Sequence, residues 1–101
     1  MTTLTRTEIC TIRTALGMTQ ADLAQVIGVH SMTVTKWESG ALTLDGDNAA
    51  ILVALLPWRA VDAARLGGEL KHILATRGHL AARHRLLGSA LGLIPRSHTK
   101  H

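Results

Sequence analysis

The stretch from Thr19 to Gly40, TQADLAQVIGVHSMTVTKWESG, constrains this chain more than any other. Thr19 with Asp22 three residues later is a capping pair, Gly28 closes the run it opens, and a second run from about Ser31 to Ser39 closes on Gly40. The pattern predicts two short helices joined by a sharp turn. Leu23, Ala24 and Ile27 fall on one face of the first helix, and Val34 and Trp37 on one face of the second, so the two can share a small core. His30, Ser31, Met32, Thr35 and Lys36 are then left to face solvent or a ligand.

Upstream, Thr5 with Glu8 forms another capping pair, predicting a helix through Ile9, Ile12, Arg13 and Leu16 to Gly17. Downstream of Gly40, ALTLDGDN reads as a loop with Leu42 and Leu44 folded beneath it. Asp45 or Asp47 is expected to cap a fourth helix bearing Ile51, Leu52, Leu55 and Leu56, stopped by Pro57. Tyr and Phe are absent and Trp37 and Trp58 are the only aromatics, so the core must be aliphatic and an all-α fold is expected.

Arg13, Gly17, Met18, Thr19, Gln20, Leu23, Ala24, Ile27, Gly28, Val29, Thr33, Val34, Lys36, Trp37, Glu38 and Gly40 together resemble the Cro/C1-type (XRE) helix-turn-helix family of repressors. The resemblance runs without a gap over roughly residues 6–56. It implies a lambda-repressor-like domain of about four helices over residues 1–57, binding double-stranded DNA. It also implies that Arg13 pairs with Glu38, that Gln20 grips a phosphate, and that Ser31 and Met32 meet base edges, with Thr35 one turn deeper and His30 at the entrance. Thr33 and Lys36 are expected on phosphates or flanking bases, and Lys36 on a guanine as well. Ser31 and Met32 stand where Gln, Arg or Asn is common. A serine hydroxyl suits several bases and a methionine can only press on an apolar edge such as a thymine methyl, so part of the specificity is assigned to Lys36 or to DNA shape.

Residues 58–101 carry no such signature. They read as a Leu/Ala-rich helical extension with apolar positions Val61, Ala64, Gly68, Leu70, Ile73 and Leu74, then Leu80, Ala82, Leu86, Leu87 and Leu91, punctuated by Gly67, Gly68 and Gly78. One helix or two over 58–76 are both compatible with the pattern. Such faces need covering, by the motif domain or by a second chain, and dimerisation is the favoured expectation because a helix-turn-helix commonly uses two half-sites. Residues 96–101 are polar and expected to fray.

Charge divides the chain. Residues 1–57 hold three bases against five acids, a net of −2, whereas residues 58–101 hold eight bases against two acids, a net of +6. That imbalance leaves RNA binding through the basic segment, or capture of a protein partner such as a toxin, as alternatives to an operator-binding homodimer.

Other chemistry is poorly supported. His72, His79 and His84 are spaced by seven and five residues, unlike a helical metal pair, so no metal or cofactor is expected. Neither a nucleophile–base arrangement nor a phosphate-binding loop is visible, and no enzyme is predicted. The lone Cys10 reads as a small, part-buried apolar residue. The longest apolar run, Ala49 to Pro57, is too short to span a membrane, and the polar start is unlike a secretory signal, so a cytoplasmic, nucleoid-associated protein is expected.

Overall fold

A computed structural model describes residues 3–90. Among them the chain forms β1 (Thr3–Leu4), α1 (Arg6–Leu16), α2 (Gln20–Ile27), α3 (Ser31–Ser39), β2 (Leu44–Asp45), α4 (Gly46–Val53), α5 (Ala60–Arg77) and α6 (His79–Ala90). The fold is all-α apart from one tiny sheet.

The first two helices start on reciprocal capping boxes. Thr5 accepts from the Glu8 N–H while Glu8 accepts from the Thr5 N–H, and Thr19 and Asp22 repeat the arrangement. Gly17, Gly28 and Gly40 end α1, α2 and α3 in the left-handed conformation, which glycine adopts without steric penalty.

Four expectations need correction. First, Leu4 and Leu44 pair in a two-residue antiparallel ladder that no local pattern announced. Leu44 is buried by this pairing, whereas Leu42, expected beneath the loop, is 46% exposed with its N–H held by the Lys36 carbonyl at the end of α3. Second, α4 ends at Val53, ahead of Pro57: the N–H groups of Leu55, Leu56 and Trp58 bond to carbonyls three residues back, which tightens residues 54–58 into turns. Leu55 therefore points inward and Leu56 outward. Third, Asp45 occupies the cap position of α4 but its side chain makes no capping bond; its backbone is extended and paired with Thr3.

The fourth correction concerns the extension. α5 runs unbroken through Gly67 and Gly68 and stops at Gly78, whose N–H bonds to the Ile73 carbonyl at 3.0 Å. Its buried face is Ala63, Leu66, Gly67, Leu70 and Ile73, so Val61, Ala64 and Gly68 lie on the exposed side. Ala82 and Leu86 of α6 are buried, Leu87 is half-buried, and Leu80 is 72% exposed. The register is shifted because α5 lies directly on α1, where only Gly67 can meet the backbone at Leu16. Leu66, Leu70, Ile73, Ala82 and Leu86 form one continuous core with Leu16, Leu23, Val34 and Leu52. Of the apolar positions in the extension, Leu70, Ile73, Ala82 and Leu86 are thus covered within the chain, with α5 on α1 and α6 on α2, while Val61 and Leu80 stay exposed. Leu91 and residues 96–101 lie outside the described residues.

Several of the extension's cations are held by partners within the chain. Lys71 Nζ donates to the Gly17 carbonyl at 2.9 Å and Arg83 donates to the Ile27 carbonyl, placing cations at the C-terminal ends of α1 and α2, where the helix dipole favours them. Arg85 pairs with Glu69, and Arg59 with the buried Asp62.

Candidate nucleic-acid interface

α3 is anchored by Val34 and Trp37, its two buried residues, which belong to the same core as Leu23 and Ile27 of α2. The 3.6-residue period then sends Ser31, Met32, Thr35 and Lys36 outward together, and all four are exposed. Met32 is 58% exposed, far more than an aliphatic side chain with a core role. Thr33 is half-buried at the edge of this face.

His30 is the N-cap of α3, and its Nδ1 accepts from the Met32 N–H at 3.2 Å. An Nδ1 that accepts carries no hydrogen, which places the ring N–H on Nε2 of this exposed side chain. His30 thus begins the helix as well as standing at its mouth.

The face is braced from behind. Arg13 of α1 reaches Glu38 through two bonds, Nε to Oε2 at 2.6 Å and Nη2 to Oε1 at 3.0 Å, while Nη1 donates to the Met18 carbonyl at 3.0 Å. Gln20 adds a third donor to Glu38, Nε2 to Oε1 at 3.1 Å, and its Oε1 accepts from the Thr35 hydroxyl at 2.7 Å. Burial opposes the charge on Glu38, but the Arg13 and Gln20 hydrogen bonds and the Arg13 charge outweigh it and hold the carboxyl below its usual range. The hydrogen bond to Glu38 raises Arg13 in turn.

The structure therefore brings Gln20, Thr35, Glu38 and Arg13 into one network, with His30, Ser31, Met32 and Lys36 around its outer rim. Gln20 is half-buried and braces α3 against α2, a role beyond the phosphate contact expected of it. Arg6 is a residue the sequence reading passed over: it donates to the Ser39 carbonyl at 3.3 Å and ties the start of α1 to the end of α3. A lone arginine in a first helical turn offers no local signal of that contact. No group of three or more His, Cys, Asp or Glu among the described residues could hold a metal ion. No described helix is long and apolar enough to cross a membrane.

This arrangement is that of a helix-turn-helix unit, two short helices at an angle with the second presenting a polar, solvent-facing end. The helix-turn-helix family model matches residues 11–57, and that segment belongs to the family, in its Cro/C1-type (XRE) branch. No curated protein and no solved structure matches the chain. Fold and family together define a helix-turn-helix DNA-binding regulator.

Proposed function

We propose that this chain is a transcriptional repressor that binds an inverted-repeat operator as a homodimer, on the nucleoid in the cytoplasm. The observation that carries the reading is the exposure of Ser31, Met32, Thr35 and Lys36 on one side of a helix whose other side is packed into the core. A face that offers a methionine to water beside hydroxyls and a lysine suits the major groove, where thymine methyls and hydrogen-bonding edges alternate. His30, Ser31, Met32, Thr35 and Lys36 are assigned to base edges. Thr33 and Lys36 are assigned to phosphates together with Gln20, whose amide has a second N–H beyond the one given to Glu38.

Dimerisation draws on apolar side chains that the chain's own core leaves uncovered. Leu56 is 39%, Val61 53% and Leu80 72% exposed, apolar side chains that a second chain would cover. RNA binding through the extension has less support, since Arg59, Lys71, Arg83 and Arg85 hold partners within the chain.

Selection of bound sequences from random duplexes at near-physiological salt, with sedimentation of the resulting complex, tests the proposal. Two inverted half-sites with centres about 34 Å apart, bound by two chains, are expected. Equal affinity for selected and random DNA would overturn it.

A further inference from the structure

The network behind α3 has a direction, and that direction decides what Thr35 can offer. Glu38, ionised against Arg13, can only accept hydrogen bonds. Gln20 therefore turns its amino group to Glu38 Oε1, and its carbonyl oxygen is left facing Thr35. A glutamine amide in isolation could sit either way round; the carboxylate removes the choice. Facing an acceptor at 2.7 Å, the Thr35 hydroxyl must donate. It has one hydrogen to give. The other atom within reach of Thr35 Oγ1 is the Ser31 carbonyl at 3.3 Å, which is also an acceptor, so on either bond the hydrogen points into the protein. Thr35 is exposed, and what it shows outward is a lone pair and a methyl group.

We propose that Thr35 reads an exocyclic amino group in the major groove, accepting from adenine N6 or cytosine N4 and disfavouring the acceptor edges of guanine and thymine. This rests on the reading of α3 as the DNA-reading helix. In the major groove those amino groups are the only base donors, whereas guanine O6 and N7 and thymine O4 would meet the Thr35 oxygen acceptor to acceptor. A threonine whose hydrogen were free could take either kind of edge. The Arg13–Glu38–Gln20 chain thus converts an indifferent hydroxyl into a discriminating one.

The test uses the full-length protein and the operator recovered by selection. Each base pair of one half-site is replaced in turn, and adenines and cytosines are also replaced by purine and 2-pyrimidinone, which lack the amino group. Binding is measured for the unaltered protein, Thr35→Val and Thr35→Ser at one salt concentration. One position in the half-site is expected to lose roughly tenfold in affinity when its amino group is deleted. Thr35→Val should abolish that loss while preserving discrimination elsewhere, and Thr35→Ser should retain it. An operator with no amino-dependent position, or one whose amino dependence survives in Thr35→Val, overturns this inference alone. If Thr35→Val does not fold, the analogue series on the unaltered protein still decides whether an amino group is read, and Thr35→Ser whether the hydroxyl suffices; a lost dependence in Thr35→Ser counts against it. A protein indifferent to sequence overturns this inference together with the proposed function.

Discussion

Gly67 of α5 lies so close to Leu16 of α1 that a Cβ on the glycine would stand 1.7 Å from the Leu16 carbonyl oxygen. Backbone meets backbone there, and no side-chain rearrangement relieves the clash. Gly67→Ala is expected to force α5 away from α1 and to destabilise the protein by about 3 kcal/mol or more. Its neighbour Gly68 has nothing within 4 Å of the same added atom. Gly68→Ala should therefore stabilise α5 by about 1 kcal/mol through helix propensity. Urea unfolding of the two variants should give opposite signs.

Arg13 and Glu38 join α1 to α3, with side chains 20% and 10% exposed. Arg13→Met leaves a part-buried carboxylate with Gln20 as its remaining side-chain donor, and a loss of about 2 to 4 kcal/mol is expected in denaturant unfolding. Arg13→Lys keeps the charge but loses the two-pronged geometry and the bond to the Met18 carbonyl, so it should recover only part of that loss.

The same pair predicts a pH dependence. Arg13 and Gln20 hold the Glu38 carboxyl below its ordinary value in the folded chain, so the folded state favours the carboxylate. Its contribution is fully present above about pH 4.5 and is lost as pH falls through the lowered folded value. Thermal unfolding followed from pH 6 downward should show the unaltered protein losing stability faster than Glu38→Gln, the two curves converging in acid. Parallel curves would contradict this.

Met32 touches DNA in the proposed complex and little else in the free protein. Met32→Ala should leave unfolding within about 0.5 kcal/mol of the parent. It should relax preference at one base pair by about 1 to 3 kcal/mol without altering affinity for random DNA. Equal losses on operator and random duplexes would remove Met32 from the reading surface.

Removal of the extension should abolish folding, not merely dimerisation. Leu66, Leu70, Ile73, Ala82 and Leu86 belong to the same core as Leu16 and Leu23, and Lys71 and Arg83 cap α1 and α2. A chain ending at Pro57 is expected to lack cooperative unfolding by circular dichroism. A folded, DNA-binding fragment would show that the extension is dispensable.

What could be read ahead of the structure was local. Capping pairs such as Thr5–Glu8 and Thr19–Asp22, and the closing glycines 17, 28 and 40, carry their whole signal within a few residues. The Arg13–Glu38 bond, 25 residues apart, was available only through family resemblance. The buried side of α5 was not legible, because alanine and leucine occur all round that helix and a carbonyl on α1 selects the face that carries Gly67. The Leu4–Leu44 pairing was hidden for a related reason: two-residue strands have no periodicity, and their partner is forty residues away. In the interface, outward positions could be listed from the helical period. The use of Gln20 as a brace could not, since it depends on where Thr35 and Glu38 meet it in space.

With Val34 and Trp37 carrying the attachment of α3, the positions between them and the solvent are released from any duty to the interior. Ser31, Met32 and Lys36 can therefore be rewritten while the scaffold stays intact, which under the proposed function gives one durable chassis many possible addresses on a genome. Thr35 is the exception, tethered to the frame by Gln20, and a lineage that retargeted this protein would change that letter last.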